Sequence, residues 1–516
     1  MKSAKSERIW RVIAVILHIL ICAAAGGLLY QIWALQMLPL GYFAALAAVV
    51  VLLAAGINLL IARPNRGKWS KNRSWTRQVI GCILALIFLA GCGAGFYFLG
   101  TLYNTISSIT SSNAVHVLLE VYVRADDPAQ FIQDTAGYTF AIADSTEEED
   151  NQDALAELQT LLGTMPETVS YATAFDTIGA LYSGEVDAII LDSSYLSILD
   201  SVEGYGDFEE KARILHEHII EKESPKTQTL FPFSGESSAG ESSDIPKNFD
   251  PSEEPFLLYI SGNDARRQLL ADGGSDVNIL VVVNPQDHQI LMVNTPRDYY
   301  VINPASGTER DKLSHCGLKG IDNCVQAMTG LYGIPIHYYA RINFSGFRTL
   351  VDAIGGVTVD SPISFSAGSH HFRQGENHLN GAQALAFARE RKNLAGGDND
   401  RGKNQMRLIE GMIKKLASGT ILTNYGDIME SLEGMFTTSM SAANIGKLVQ
   451  LQLSQMPDWE IYSFAVTGDN GNDICWAAGG NGYVMYPHEN MVAHAKGLME
   501  KVLSGEVITS DDLIVP

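Results

Sequence analysis

Three long apolar runs near the N-terminus constrain this chain more than any other feature. Residues 12–35, 40–61 and 79–99 each match the length of a membrane-spanning helix, roughly 20 residues, and none contains Asp, Glu, Lys or Arg. A cleaved signal peptide has one shorter apolar core followed by a cleavage site, which three full-length runs do not resemble. Lys2, Lys5, Arg8 and Arg11 precede the first run, and Arg63, Arg66, Lys68, Lys71, Arg73 and Arg77 lie between the second and third. The turn at 36–39 carries no charge. The positive-inside rule therefore places the N-terminus and the second loop in the cytoplasm. An odd number of spans then puts everything after about residue 100 outside. The sequence predicts a multi-pass cell-membrane protein with an extracellular body.

Charge separates the same two parts. Residues 1–100 hold ten Lys and Arg against one acid, Glu7, whereas the whole chain of 516 residues carries −22. A basic apolar anchor thus carries a strongly acidic body, which argues against nucleic acid as a partner, because phosphate backbones need a basic footprint. Cys22, Cys82 and Cys92 fall in the spans and read as packing residues. Cys316 and Cys324, eight apart, are either bridged or free buried thiols, and Cys475 has no evident partner.

The predicted organisation is a membrane anchor over 1–100, a Ser/Thr-rich stalk over 101–115, a small extracellular α/β domain over 116–220, a linker over 221–255 and a larger domain over 256–505. In 116–220, strands at 138–143, 167–174 and 186–191 alternate with helices at 151–162 and 177–183, the pattern of a small parallel sheet. A short stretch at 181–192 resembles part of a periplasmic solute-binding domain. The linker is rich in Ser, Glu and Pro and loses periodicity. In the larger domain, apolar strands at 277–283 and 290–294 flank a hairpin turn, and helices are predicted at 321–331, 344–354, 381–389, 401–417 and 442–455. The fold class is α/β, with a mixed sheet sandwiched by helices.

Charged residues gather at the ends of these elements. Asp276 starts one hairpin strand and Thr295-Pro296-Arg297-Asp298 follows its antiparallel partner, so Asp276, Arg297 and Asp298 share the open end of the hairpin. Asp264 and Arg266 leave the preceding strand and can reach the same end. Arg389-Glu390-Arg391 closes one helix, and Arg401 and Gln405, four apart, share a face of the next. Guanidinium forks bind phosphate oxygens bidentately. Carboxylates beside them suit a divalent cation, since Mg²⁺ typically takes one or two carboxylates and completes its shell from phosphate and water. The pattern reads as a pyrophosphate–Mg²⁺ site. Taken singly, each residue also fits a plainer role: a helix-end Arg capping carbonyls or pairing with a surface acid, or an Asp in a turn.

The order of motifs over about 255–415 resembles the LytR-CpsA-Psr domain. The matching stretches include Ser275-Asp276 before Asn278-Ile279-Leu280, Thr295-Pro296-Arg297-Asp298, Asp311-Lys312-Leu313-Ser314-His315, Asn343-Phe344-Ser345-Gly346-Phe347, Leu379-Asn380-Gly381-Ala382-Gln383, Arg389-Glu390-Arg391, and Asp400-Arg401 through Gln405. The resemblance implies a phosphotransferase that moves a phosphoglycan from an undecaprenyl-pyrophosphate carrier to a peptidoglycan hydroxyl during cell-wall assembly. It implies Mg²⁺ at Asp264 and Asp276, and pyrophosphate at Arg297, Arg389, Arg391, Arg401 and Gln405. The lipid would lie in a tunnel beside helices 344–354 and 381–388. This chain departs from the family pattern at Gly274, where an Arg is usual; either Arg266 supplies the charge or the pocket is weaker. Gly396-Gly397 suggests a mobile loop, and three spans with an accessory domain exceed the family's minimal plan.

In this reading Asp298 orients or deprotonates the acceptor hydroxyl, with Arg297 beside the transferring phosphoryl group. The alternative for Asp298 is a salt bridge that positions an arginine. His315 is a weaker candidate whose other reading is a structural hydrogen bond. No Ser/His/Asp or Cys/His set is evident, which argues against a covalent intermediate. Two other functions use the same residues: a lipid pyrophosphate hydrolase with water as acceptor, and a non-catalytic sensor of envelope lipids.

Overall fold

A computed structural model describes residues 2–35, 37–62, 71–111, 114–202, 204–223, 249–263, 273–420, 428 and 435–515. The chain divides into two compact units: Met1–Ser107 with Ala442–Pro457, and Ser108–Ser441 with Asp458–Pro516.

The first unit contains α1 (Lys2–Leu35), α2 (Leu40–Ile61) and most of α3 (Lys71–Ser111), together with helix Ala442–Gln455. Three segments, Val12–Leu35, Leu40–Ile61 and Arg77–Ile106, are long and apolar enough to cross a membrane. Their mutual core is small and includes Ile21, Ala25, Val50, Ala54, Ile57 and Ala85. Leu52 and Leu59 instead turn outward with about 70% of their surface exposed (71% and 72%), an arrangement that lipid tolerates and water penalises. Glycines set the close approaches: a Cβ on Gly27 would come within 2.8 Å of the Phe96 ring, and one on Gly95 within 2.8 Å of Leu28. Small residues of this kind let membrane helices pack. His18 Nδ1 and Asn58 Oδ1, 2.6 Å apart, add a polar tie. Instead of a stalk at 101–115, α3 runs to Ser111 and a strand begins at Ala114.

The second unit opens with a five-stranded sheet of order β3-β2-β4-β1-β5. Its strands are β1 (Ala114–Arg124), β2 (Thr139–Ala143), β3 (Glu167–Tyr171), β4 (Ala188–Asp192) and β5 (Ala212–Glu223). β2, β3 and β4 are parallel as expected, but β1 pairs antiparallel with both β4 and β5, which makes the sheet mixed. β5 escapes the sequence reading because His216, Glu217, His218 and Glu221 interrupt its apolar pattern. Helix α4 (Glu148–Leu162) covers one face through Ala154 and Leu158. Helix α5 (Ala174–Ser183) covers the other through Phe175 and Ile178, and starts at a Thr173–Asp176 capping box. A short helix, α6 (Phe208–Lys211), leads into β5.

The second sheet has order β16-β11-β6-β7-β8-β17. It is formed by β6 (Phe256–Asn263), β7 (Ser275–Asn284), β8 (Gln289–Asn294), β11 (Tyr338–Asn343), β16 (Phe436–Thr438) and β17 (Glu460–Ala465), with β9 (Tyr300–Ile302) and β10 (Arg310–Lys312) paired separately. β11 runs parallel to β6 and β17 to β8; the other pairs are antiparallel. β7 shows why its sequence is a continuous apolar run: Leu280 and Val282 join the core that includes Cys324 and Met328 of α7 (Ile321–Tyr332), while Ile279 and Val281 join Met406 on the opposite face. Burial of both faces removes the alternation of a half-exposed strand.

Beyond this sandwich, α8 (Phe344–Ala353) leads to β12 (Val357–Ser361), the hairpin β13–β14 (Phe365–Ala367, His370–Phe372) and β15 (Gly375–Leu379). Then come α9 (Gly381–Arg389) and α10 (Asp398–Lys415). Phe365, Phe372 and Phe387 form an aromatic centre for this part. After β17, hairpin β18–β19 (Gly468–Cys475, Gly480–Pro487) precedes the closing helix α11 (Glu489–Leu503). Cys316 and Cys324 are both buried and are not joined by a disulfide.

Candidate active site

β7 and β8 pair in antiparallel register down to Ile279 opposite Asn294, and Thr295 N donates to Asn278 O (2.9 Å). That register brings Asp276 and Arg297 together, as the hairpin argument requires: Arg297 Nη1 donates to Asp276 Oδ1 at 2.8 Å. They line a cavity of about 510 Å³ with Asp298, Arg389, Arg391, Arg401 and Gln405. Six predicted residues from three separate stretches of sequence therefore join Asp276 at one place. Asp264 and Arg266 lie outside the described residues.

Five cationic side chains, Arg297, Lys312, Arg389, Arg391 and Arg401, share this lining with three carboxylates, Asp276, Asp298 and Asp398. Burial opposes ionisation of Asp276, yet Arg297, Arg401 and Arg389 outweigh it and hold the carboxyl below the usual carboxylate range. Burial also works against the charge of Arg297, but Asp276, Asp298 and Asp398 raise its pKa overall. Arg401 is lowered by burial and by Arg297, against the pull of Asp398, to which its Nη2 is bound at 2.6 Å. The Nε groups of Arg297 and Arg401 are buried and have no hydrogen-bond acceptor among the described residues. Arg389 lies over the Phe344 ring at 5.1 Å. Gln405 is committed to the protein, donating to Ala388 O at 3.2 Å, and so ties α10 to the end of α9.

A divalent cation fits one feature of this set. Only Oδ1 of Asp276 is taken by Arg297; Oδ2 makes no hydrogen bond among the described residues. A grouping of metal-type donors among the described residues lies at Asp311, His315 and Cys475, within 4.8 Å of one another. There both Asp311 oxygens already accept N–H groups, and burial pushes the Cys475 thiol up to about 12.

Several cavity residues were not assigned a role from sequence. Asp398 belongs because α10 begins there rather than at Arg401, which places it one turn before Arg401. Burial raises its pKa, with Asp298 and Asp276 adding to the effect. Gly396-Gly397, read as a mobile loop, is a helix-entry turn in which Gly396 N donates to Asp400 Oδ2 (2.8 Å) and Gly397 takes φ 55°. Lys312 is nearly buried, with Nζ 3.8 Å from Asp298 Oδ1; its motif was visible, its direction was not. Tyr483 comes from hairpin β18–β19.

Ser197 and Ile198 reach the cavity from the five-stranded sheet's domain, on the 3₁₀ segment Ser193–Ser201. Gly274 N donates to Ser197 Oγ at 3.0 Å, and a Cβ on Gly274 would meet the same oxygen at 3.0 Å. Ser197 thus occupies the space beside the position where the sequence lacks the usual Arg. Leu318 is buried in the core of that domain, and Lys319 Nζ donates to Ser145 O at 3.1 Å.

Comparison with known proteins yields one matching family model, the LytR_cpsA_psr family, over residues 227–498. The chain is 36% identical over 189 residues to the polyisoprenyl-teichoic acid–peptidoglycan teichoic acid transferase TagU of Bacillus anthracis, covering 36% of this chain and 61% of that protein. It is 33% identical over 201 residues to TagU of Enterococcus faecalis, covering 38% and 65%. The match therefore spans less than two thirds of either relative. Among solved structures, B. subtilis TagU aligns at 26% identity over 50% of this chain and 100% of that one, with a TM-score of 0.40. TagT bound to LI-WTA aligns at 25% identity over 52% and 97%, with a TM-score of 0.42.

Proposed function

The chain belongs to the LytR-CpsA-Psr family, and from that premise we propose that it transfers a phosphoglycan from a polyprenyl-pyrophosphate carrier to a hydroxyl of peptidoglycan. The observation that carries this reading is the cavity where Arg297 and Arg401 keep buried N–H donors without acceptors, beside Arg389 and Arg391. Unsatisfied buried donors are costly, and phosphate oxygens supply the missing acceptors bidentately. The TagU proteins it resembles are named as teichoic acid transferases acting on peptidoglycan.

In the proposed reaction the acceptor oxygen forms a bond to the glycan-proximal phosphorus, the bond to the bridging oxygen breaks, and polyprenyl phosphate leaves. Charge on the transferring and leaving groups is met by Arg297, Arg401, Arg389 and Arg391, which is the main need in phosphoryl transfer. Asp298, 3.8 Å from both Arg297 Nε and Lys312 Nζ, orients the acceptor hydroxyl. Gln405 positions the end of α9 from which the exposed arginines extend. Mg²⁺ would be held by Asp276, with Asp264 as the second carboxylate, and would neutralise phosphate charge when bound. A second cavity of about 490 Å³ mixes apolar Ala367, Ala382, Leu385 and Ala386 with Arg348, His370, Arg389 and Glu390, and its apolar side is where the lipid would lie; Arg389 borders both cavities. The N-terminus faces the cytoplasm and residues after about 100 face outward.

The test uses the full chain in detergent with a labelled polyprenyl-pyrophosphate glycan and peptidoglycan. Expected are attachment of label, its loss on chelation of divalent metal, and a drop of 100-fold or more, about 3 kcal/mol in the barrier, in Arg401→Ala. Release of polyprenyl phosphate with label left in solution would make the protein a hydrolase. Tight donor binding with neither outcome would make it a sensor.

A further inference from the structure

We infer that His315 accepts the proton of the attacking hydroxyl and that Asp311 holds its imidazole for that task. This rests on the phosphotransferase reading above and extends it to the base, a role given there to no residue. His315 lines the same cavity as Arg297, Asp298 and Arg401. It sits on the 3₁₀ segment Leu313–Lys319, immediately after β10, which carries Asp311.

The pair is defined on one side and open on the other. His315 Nδ1 lies 2.6 Å from Asp311 Oδ1, and Asp311 is fully buried. The carboxylate also accepts Lys312 N at Oδ1 (2.8 Å) and Ala477 N at Oδ2 (2.8 Å). Both of those partners are N–H donors, so the carboxylate acts as an acceptor throughout and fixes the hydrogen of His315 on Nδ1. The lone pair then lies on Nε2, which takes no hydrogen bond among the described residues. A buried histidine with a purely structural role normally satisfies both nitrogens. One nitrogen anchored on a carboxylate and the other left free beside a reaction cavity is the arrangement of an oriented general base.

The charged and titratable groups around it divide the work. Asp311 and the Cys475 thiol lie on the inner side, while Lys312, Asp298 and Arg297 belong to the cavity wall. Asp298 lies 3.8 Å from both Arg297 Nε and Lys312 Nζ, too far for a hydrogen bond to either, and keeps the orienting role given above. In the step proposed, the acceptor O–H proton passes to Nε2 as the oxygen–phosphorus bond forms. Polyprenyl phosphate departs as an anion and needs no proton, and the imidazolium returns its proton to solvent. Asp311 is a positioning residue in this scheme.

The experiment measures transfer and donor binding separately, in the full chain, with the labelled donor and peptidoglycan. His315→Ala should lower kcat by roughly 10²- to 10⁴-fold, the range for loss of a general base, while leaving donor affinity within about twofold. Added imidazole should restore part of the rate in His315→Ala, which a structural role would not permit. Asp311→Asn should lower kcat and change the pH profile with KM for donor little altered. If His315→Ala does not fold, His315→Gln, which can still donate to Asp311, must show the same loss. Transfer by a folded His315 variant within tenfold of the wild type overturns the assignment, as does absence of imidazole rescue in a variant that binds donor normally. Donor binding without transfer by the wild-type chain overturns the phosphotransferase reading and the base together.

Discussion

Arg297 and Asp276 join a stabilising ion pair to the chemistry proposed above. Because Asp276 is held below its unfolded value, its contribution to stability is present at pH above the unfolded carboxylate range and is lost as pH falls through the folded value. Asp276→Asn should therefore be about 2 kcal/mol less stable at pH 7, where a charged hydrogen bond is lost. Its melting temperature should fall less steeply than that of the wild type on acidification below about pH 4; thermal melts across pH check both. Gly317 is the other sensitive position: a Cβ there would lie 2.4 Å from Gly273 O and 2.8 Å from Ser275 N. Those are backbone atoms of the segment leading to Asp276, so they cannot swing aside. Gly317→Ala should cost about 1–3 kcal/mol, the range for overpacking, and weaken donor binding as well. A drop in melting temperature with unchanged donor affinity would show that the segment moves without disturbing the site.

At the scale of elements, α9 owes its position to Phe387, whose ring lies 5.2 Å from both Phe365 and Phe372. Asn380 caps the start of the same helix through Gln383 N (3.0 Å). Removing the ring in Phe387→Ala should cost about 3–5 kcal/mol in chemical denaturation. It should also raise the donor's dissociation constant, since Arg389 follows two residues later on a helix that has lost its anchor. Donor affinity unchanged in a folded Phe387→Ala protein would place Arg389 outside the binding contacts. The hairpin β7–β8 and helix α9 were legible in the sequence because an apolar run and a capped periodic segment are local signals. The start of α10 was not. Two glycines suggested a loop, whereas the Asp400 carboxylate accepting Gly396 N closes it into a helix entry, and that local bond is what brings Asp398 to Arg401.

For the molecule as a whole, the three apolar helices and their basic flanks predict one orientation. An epitope inserted within residues 63–70 should be shielded in intact cells, and one at the C-terminus should be accessible from outside. The reverse labelling would overturn the proposed topology, and alkaline extraction should leave the full chain in the membrane fraction. Ser197 adds an expectation at this scale, because one domain's 3₁₀ segment borders a cavity built mainly from the other. Ser197→Ala should cost about 1 kcal/mol through the lost acceptor for Gly274 N, detectable as a lower melting temperature, with the fold otherwise retained.

The sequence by itself determined the three long apolar helices, the α/β character of the body and which arginines gather with Asp276, because hydrophobic length, period and motif order are properties of neighbouring residues. Tertiary structure alone decided the rest. The mixed pairing of β1 with β4 and β5, the entry of Ser197 into the cavity wall and the direction of Lys312 depend on contacts between residues far apart in the chain. The pairing of Asp311 with His315 spans only four residues, yet its meaning also waited on the fold. Burial of Asp311 and the place of His315 in the cavity lining give an ordinary Asp-x-x-x-His spacing its role in the proposal.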